Sequence, residues 1–366
     1  MSSISGTKNI RYFVFINHLK SGGAEKQSIY LIRELINHYD AKLIVYDGDL
    51  FDERMLSLLK DIEDHVIWLK GNHLAKLIFI YKLFSQKKNT AVISYLARIN
   101  FINAVVGALA GVKFRIGGIR SSRFHPVKLV IQKILHNTLL TCSIFNNYAG
   151  LEHLKTKGFD PVKSYVIHNG IKVNREPVLR HKRNRIVILS VGRFIEAKDY
   201  KTAIDSIVYL KNNYNDLKYI IVGYGPLERR LKDYVKSLSG ENFVEFIINP
   251  ACIDPYYEEA DIFLSTSLFE GFSNVIMEAL EYSLPVVATD TGDNSELIKE
   301  GINGFLTPVK DKNTITLKLL LLIENYDLRI QMGQKGYQHL KENYSMDKFL
   351  EKHISLINRL CEDAKI

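Results

Sequence analysis

In two successive series along the chain, short runs of β-branched and aromatic residues alternate with segments whose apolar positions repeat at helical spacing. This alternation constrains the fold more than any other feature. The stretch 10–17, IRYFVFIN, reads as a buried strand, and AEKQSIYLIRELINHY after it repeats Ile29, Leu31, Ile32, Leu35 and Ile36 at helical spacing. AKLIVYD, HVIWL, NTAVISYLA, KFRIGGI and KSYVIHNGI continue the pattern, which predicts a mostly parallel sheet of short strands with crossover helices. Between 172 and 185, KVNREPVLRHKRNR is charged, contains Pro177 and has no apolar period, which marks a linker. RIVILSVG, LKYIIVGYG, FVEFIIN, ADIFLSTS and LPVVATD restart the alternation, and the tail from about 312 to 363 has helical spacing. With 366 residues, 46% of them hydrophobic, the chain can bury two such cores.

The net charge of +9 is unevenly divided. Through Arg180 there are about 26 Lys and Arg against about 13 Asp and Glu, roughly +13, and the remainder is roughly −4. No acidic residue falls between Asp64 and Glu152, where twelve Lys and Arg do. Such a field attracts phosphates and acidic lipids. HLAKLIFIYKLF, residues 73–84, suits either an amphipathic segment at a membrane surface or an ordinary half-buried helix. Zinc-finger spacing, ribonucleoprotein motifs and a continuous basic helix are missing, so nucleic acid is not the expected partner. Cys142, Cys252 and Cys361 are too few and too scattered for a disulfide framework or a CxxC metal site, which fits a reducing cytosol. The first residues lack the order of a secretory signal, and the apolar runs at 74–84 and 101–112 are too short or too charged to span a bilayer.

The stretch 269–280, FEGFSNVIMEAL, places Glu270 on a loop after a strand and Glu278 just inside a helix capped at Ser273 or Asn274. Backbone amides near Asn274, Val275 and Ile276 lie between the two acids, and with the helix dipole they suit a phosphate. Carboxylates beside a phosphate make sense if they read hydroxyl groups at the two ends of a nucleotide sugar; the alternative is a helix-favouring Glu278 and a surface Glu270. In SVGRFIEAKD, Arg193 and Lys198 follow a strand and suit a diphosphate, as an Arg fork and a Lys point charge. Gly223 and Gly225 in VGYGP admit close backbone approach or a tight turn. Gly22 and Gly23 stand between the first strand and first helix, where amides can touch phosphate or sugar, without forming a dinucleotide fingerprint or a phosphate loop. Asp47 and Asp49 read as a turn rather than a metal pair, and no metal site is expected.

Together these residues resemble the family 4 glycosyltransferases, over nearly the whole chain. GGAEK is similar to that family's early glycine-rich loop, IHNGI to its Asn-Gly-Ile stretch, VGRFIEAKD to its phosphate clamp, EGFSNVIMEA to its paired-glutamate element and GINGFLTP to its later glycine-rich turn. The resemblance implies a GT-B fold of two Rossmann-like domains facing across a cleft. Residues 1–175 would be the acceptor-binding domain and 185–340 the nucleotide-sugar domain, with a final helix at 341–366 crossing back to the first. It further implies that Glu278 holds ribose hydroxyls, Arg193 and Lys198 the diphosphate and Glu270 the transferred sugar, with added contacts at Ser273, Asn274, Val275, Gly22, Gly23 and Gly223. Many members carry a His after the strand that here precedes Arg120; Arg120, Arg123, His125 and Asn169 are the acceptor- or sugar-site candidates. Asp199 occupies a position commonly Gly in that family.

By this resemblance the chain is a retaining transferase, without cofactor or metal, moving a hexose or N-acetylhexosamine to a lipid-linked or surface-polysaccharide precursor. A uridine diphosphate sugar is favoured over guanosine or adenosine diphosphate sugars. The departing phosphate helps deprotonate the acceptor hydroxyl. The basic first half fits peripheral docking at the inner face of the cytoplasmic membrane. A nucleotide-sugar epimerase of like architecture and a non-catalytic sugar-nucleotide or membrane-binding module are the alternatives.

Overall fold

The computed structural model describes residues 10–20, 22–87, 89–120 and 124–363, apart from the side chain of residue 54. The acceptor-site candidate Arg123 lies outside the described residues. The chain divides into two compact units, residues 1–170 with 345–366, and residues 171–344.

In the first unit seven strands, β1 (Arg11–Ile16), β2 (Ala41–Val45), β3 (Val66–Trp68), β4 (Thr90–Tyr95), β5 (Phe114–Ile119), β6 (Cys142–Phe145) and β7 (Ser164–Val166), form one sheet. Its order is β3-β2-β1-β4-β5-β6-β7 and every pairing is parallel. Because side chains alternate across a strand, β1 must be apolar at every position to be buried on both faces. Tyr12, Val14 and Ile16 pack into one core with residues of the helices Gly23–Ile36 and Met346–Asp363. Phe13 and Phe15 pack into the other, with residues of His73–Phe84 and Ala97–Leu109.

The second unit repeats the plan with β8 (Ile186–Val191), β9 (Leu217–Gly223), β10 (Val244–Ile248), β11 (Ile262–Ser265), β12 (Val286–Thr289) and β13 (Gly304–Thr307). The order is β10-β9-β8-β11-β12-β13, again all parallel. Ile186 and Ile188 face a core with Tyr200–Lys211 and Lys312–Glu324, whereas Val187 and Leu189 face one with Asn274–Glu281 and Tyr326–Tyr344. In each sheet strand order reverses beside the first strand, between β1 and β4 and between β8 and β11. Such reversals open the crevice where doubly wound sheets bind ligands.

Two strands escape the sequence pattern. In β6 the polar Ser143 interrupts CSIF, and in β13 only Phe305 and Leu306 of GFLT are apolar, so neither shows a continuous apolar run. KSYVIHNGI contributes only Ser164–Val166 as strand. The charged stretch 172–185 is fastened to the second unit by Arg180, whose guanidinium donates to the carbonyls of Ala260 at 2.7 Å, Tyr282 at 2.6 Å and Tyr257 at 3.0 Å. Desolvation pushes the Arg180 pKa down to about 10.

The helix Met346–Asp363 completes the first unit. Gly170 exchanges backbone hydrogen bonds with the buried Gln27 amide at 2.8 and 3.0 Å, and a Cβ at Gly170 would stand 2.6 Å from that of Phe349. His353 is 2% exposed; its Nδ1–H donates to the Phe349 carbonyl at 2.8 Å, and its Nε2 has no hydrogen-bond partner among the described residues. Burial lowers its pKa from 6.5 to about 4, so the neutral imidazole's contribution is complete above pH 6.5 and is lost as pH falls toward 4. We expect wild-type unfolding free energy to fall by up to about 3 kcal/mol over that interval from this residue. Urea denaturation of His353→Leu should show a correspondingly shallower acid slope; identical slopes in the two chains would contradict the assignment.

Candidate active site

In the second unit, the residues singled out by sequence gather on loops at the C-terminal ends of β8, β9 and β11. β8 runs into Gly192 and Arg193, a short turn at Glu196–Lys198, and then Asp199 with φ 44° and ψ 48°. That left-handed conformation is easy for glycine and tolerable for Asp, which explains the residue type the position accepts. The ends of β8 and β9 interlock through backbone. Gly192 N–H donates to Val222 O at 3.0 Å and Phe194 N–H to Tyr224 O at 2.8 Å. A Cβ at Gly223 would stand 1.9 Å from the Gly192 oxygen, and one at Gly225 would stand 2.6 Å from the Phe194 oxygen. These two glycines therefore serve close backbone packing in addition to any ligand contact.

The loop after β11 is tied to the loop after β8. Leu268 N–H donates to Ala197 O at 2.8 Å, and Thr266 Oγ1 donates to the carbonyls of Lys198 and Asp199 at 3.1 and 2.9 Å. This brings Lys198 and Glu270 into a direct ion pair, with Ser267 Oγ donating 2.7 Å to the same carboxylate oxygen. Gly292, at φ 60°, supports the loop from behind: a Cβ there would stand 2.3 Å from the Glu270 carbonyl oxygen. Arg193 is exposed, and among the described residues no acid pairs with it.

The helix Asn274–Glu281 begins directly after this loop. Ser273 is its N-cap by position, yet the side chain makes no capping bond, and Ser273 Oγ is buried without a hydrogen-bond partner among the described residues. Helix N-termini present amides and a positive dipole end. Glu278 is half-buried and fixed by Tyr257, whose hydroxyl donates to Oε2 at 3.0 Å. Burial, then the Glu278 charge, raises the Tyr257 pKa well above its usual value, so the phenol stays a donor. Ser267 and Tyr257 are the site residues that sequence reading missed. Neither lies in a motif, and only folding brings them against the glutamates.

In the first unit, the Arg120 guanidinium lies 4.7 Å from the centre of the Tyr95 ring and donates to Asn169 Oδ1. Desolvation depresses the Arg120 pKa. Arg120 and Asn169 are thus joined, while His125 is exposed at the start of the helix Pro126–Thr138 and makes no capping bond. Gly22 and Gly23 begin the helix Gly23–Ile36. Asp47 is neutralised by Arg98 at 2.7 Å and Lys76 at 3.2 Å, and Asp49 lies 3.7 Å from Lys70. Among the described residues, no group of three or more His, Cys, Asp or Glu is placed to hold a metal. No described helix is long and apolar enough to cross a membrane. The helix His73–Phe84 exposes Leu74, Ile78, Phe79 and Tyr81, and Pro126–Thr138 exposes Val127, Val130, Ile131 and Ile134.

Residues 173–339, nearly the whole second unit, match the family described as glycosyl transferases, group 1. Over these residues the chain is similar to the group 1 glycosyl transferases. It is 32% identical over 166 residues to an uncharacterized glycosyltransferase of Haemophilus influenzae, which covers 45% of this chain and 47% of that protein. The chain thus spans about half the length of that relative. It is 28% identical to a Campylobacter jejuni N-acetylgalactosamine-N,N'-diacetylbacillosaminyl-diphospho-undecaprenol 4-alpha-N-acetylgalactosaminyltransferase, covering 90% of this chain and 94% of that one. Among solved structures, Anabaena Alr3699/HepE in complex with UDP is similar with TM-score 0.83 and 18% identity, over 95% of this chain and 100% of that one. The fold is GT-B, as the resemblance implied.

A Gly223→Ala substitution forces a Cβ onto the Gly192 carbonyl, and backbone rather than a flexible side chain must yield. We expect a loss of about 1–3 kcal/mol in unfolding free energy, read by chemical denaturation.

Proposed function

We propose that the chain is a retaining glycosyltransferase that moves a hexose or N-acetylhexosamine from a nucleotide diphosphate sugar to a lipid-linked or surface-polysaccharide precursor. One observation carries this reading: Lys198 with Glu270, and Glu278 with Tyr257, are fixed before and within the helix Asn274–Glu281 of a group 1 domain. Glu278, its orientation set by Tyr257, accepts hydrogen bonds from the ribose hydroxyls. Amides at Ser273, Asn274 and Val275 meet the diphosphate, with Arg193 free to swing onto it. Lys198 exchanges part of its contact with Glu270 for a phosphate oxygen, and Glu270 turns to the sugar hydroxyls. A uridine diphosphate sugar is the favoured donor, in keeping with the UDP bound to Alr3699/HepE.

In the transfer, the bond from the anomeric carbon to the phosphate oxygen breaks and its electron pair leaves with the nucleoside diphosphate. The acceptor oxygen bonds to the same face, and its proton passes to the departing phosphate. Negative charge grows on that phosphate, which Arg193 and Lys198 stabilise. Arg193→Ala is expected to lower kcat by about 10²- to 10³-fold with an unchanged melting temperature. Glu278→Ala should lose nucleotide binding in calorimetric titration against uridine, guanosine and adenosine diphosphate sugars. Full turnover in Arg193→Ala would remove that residue from the mechanism.

Arg120 and Asn169 are the acceptor-side groups of this reading. The lipid-linked acceptor suits peripheral docking of the first unit on an anionic membrane at the cytoplasmic face. The exposed apolar faces of the helices His73–Phe84 and Pro126–Thr138, in a region of twelve basic and no acidic residues, support this partner. Vesicles containing anionic lipid should retain the protein at low salt and release it as salt rises. Equal retention by neutral vesicles, or none by either, would refute the docking surface.

A further inference from the structure

Glu25, three residues into the early glycine loop, has a setting that stability does not explain. It is 6% exposed, and desolvation raises its pKa, so its negative form is costly inside the fold. Its carboxylate folds back over the start of its own helix and lies 3.4 Å from the His18 Nδ1, just after β1. The Lys20 N–H lies 3.4 Å from the same ring nitrogen, so Nδ1 either accepts from that N–H or, carrying its proton, donates to Glu25. Arg120, at the end of β5, is close enough for its charge and that of Glu25 to act on each other. One buried acid thus serves two basic groups that leave the C-terminal edge of one sheet.

The same geometry accounts for Gly22. Its φ of −170° and ψ of 160° are extended backbone open to any residue, so conformation does not demand glycine there. Space does: a Cβ would stand 2.3 Å from Glu25 Oε2 and 3.0 Å from its carboxyl carbon. The atoms in the way belong to a flexible side chain, so a larger residue at 22 would displace the carboxylate rather than break the fold.

We propose that Glu25 is a positioning residue for the transfer reaction: its buried carboxylate sets the His18 imidazole and the Arg120 guanidinium at the edge of the first sheet, and Gly22 is glycine to leave that carboxylate its place. The proposal rests on the transferase reading, in which Arg120 faces the acceptor. Loss of Glu25 misplaces both groups, and misplacement by an ångström is enough to cost on the order of 10- to 10²-fold in rate.

The test compares Glu25→Gln, Glu25→Ala, Gly22→Ala and the Gly22→Ala/Glu25→Ala double variant in the full chain. Gln keeps the shape of the acid and can support the helix start as Glu does, so the change isolates the charge. Glu25→Gln is expected to keep or raise the melting temperature while kcat/KM for the acceptor falls by about 10- to 10²-fold. Gly22→Ala should fall similarly, and the double variant should be no worse than Glu25→Ala alone, because the clash disappears with the carboxylate. Wild-type turnover measured beside these variants judges the transferase reading separately. A readout independent of turnover is the imidazole signal of His18 in protein with 15N-labelled histidine, which should move in Glu25→Gln. Unchanged acceptor kinetics, an unmoved His18 signal, or a lowered melting temperature that accounts for the lost rate would each overturn the proposal.

Discussion

A parallel sheet buried on both faces leaves little of itself for chemistry except the ends of its strands. Crossover helices cover the two faces, and every residue of β1 from Tyr12 to Ile16 is spent on one core or the other. Backbone groups at the carboxyl edge are the ones left to meet ligand, and hydrogen bonds between the loops there add to the packing of buried apolar residues such as Phe194 and Phe272. In the second unit these bonds run from loop to loop: Leu268 to Ala197, Thr266 to Lys198 and Asp199, and Asp293 to Gly271. They make a rigid base on which Lys198 and Glu270 can meet. Preorganised charge of this kind is what a transfer with a charged leaving group requires.

Burial sets the electrostatic character of both units. Arg180 and Arg120 lose some of their basicity to desolvation, whereas Tyr257 and Glu25 are pushed toward their neutral forms. The compensation differs. Arg180 is satisfied by carbonyls and fastens a charged segment to its unit, a structural use. Glu25 has a weaker set of partners, and the Tyr257 hydroxyl is directed mainly at Glu278 Oε2 at 3.0 Å, with the Val275 carbonyl at 3.4 Å.

Much of the fold was legible because apolar periodicity survives in a doubly wound sheet. β1, β8 and β9 are long enough for their runs to stand out, and each is followed by a helix with a 3.6-residue period. β6 and β13 were not legible, because Ser143 breaks the apolar run of one and Gly304 and Thr307 confine that of the other to two residues. The glutamates, the Arg–Lys pair and the glycine loops were visible as motifs. Their supports, Ser267 and Tyr257, were not, since they lie in ordinary stretches, STS and PYYEE, that gain meaning only by proximity.

The sequence by itself determined the alternation of strand and helix, the two cores, the basic first half and the types of residue placed at strand ends. These depend on local spacing and composition, which a chain carries without folding. Tertiary structure alone decided which of those residues meet. It paired Lys198 with Glu270 across 72 positions and Arg120 with Asn169 across 49, and it closed Gly223 on Gly192. Contacts of that range follow from strand order and loop closure, and strand order is set by how whole elements pack.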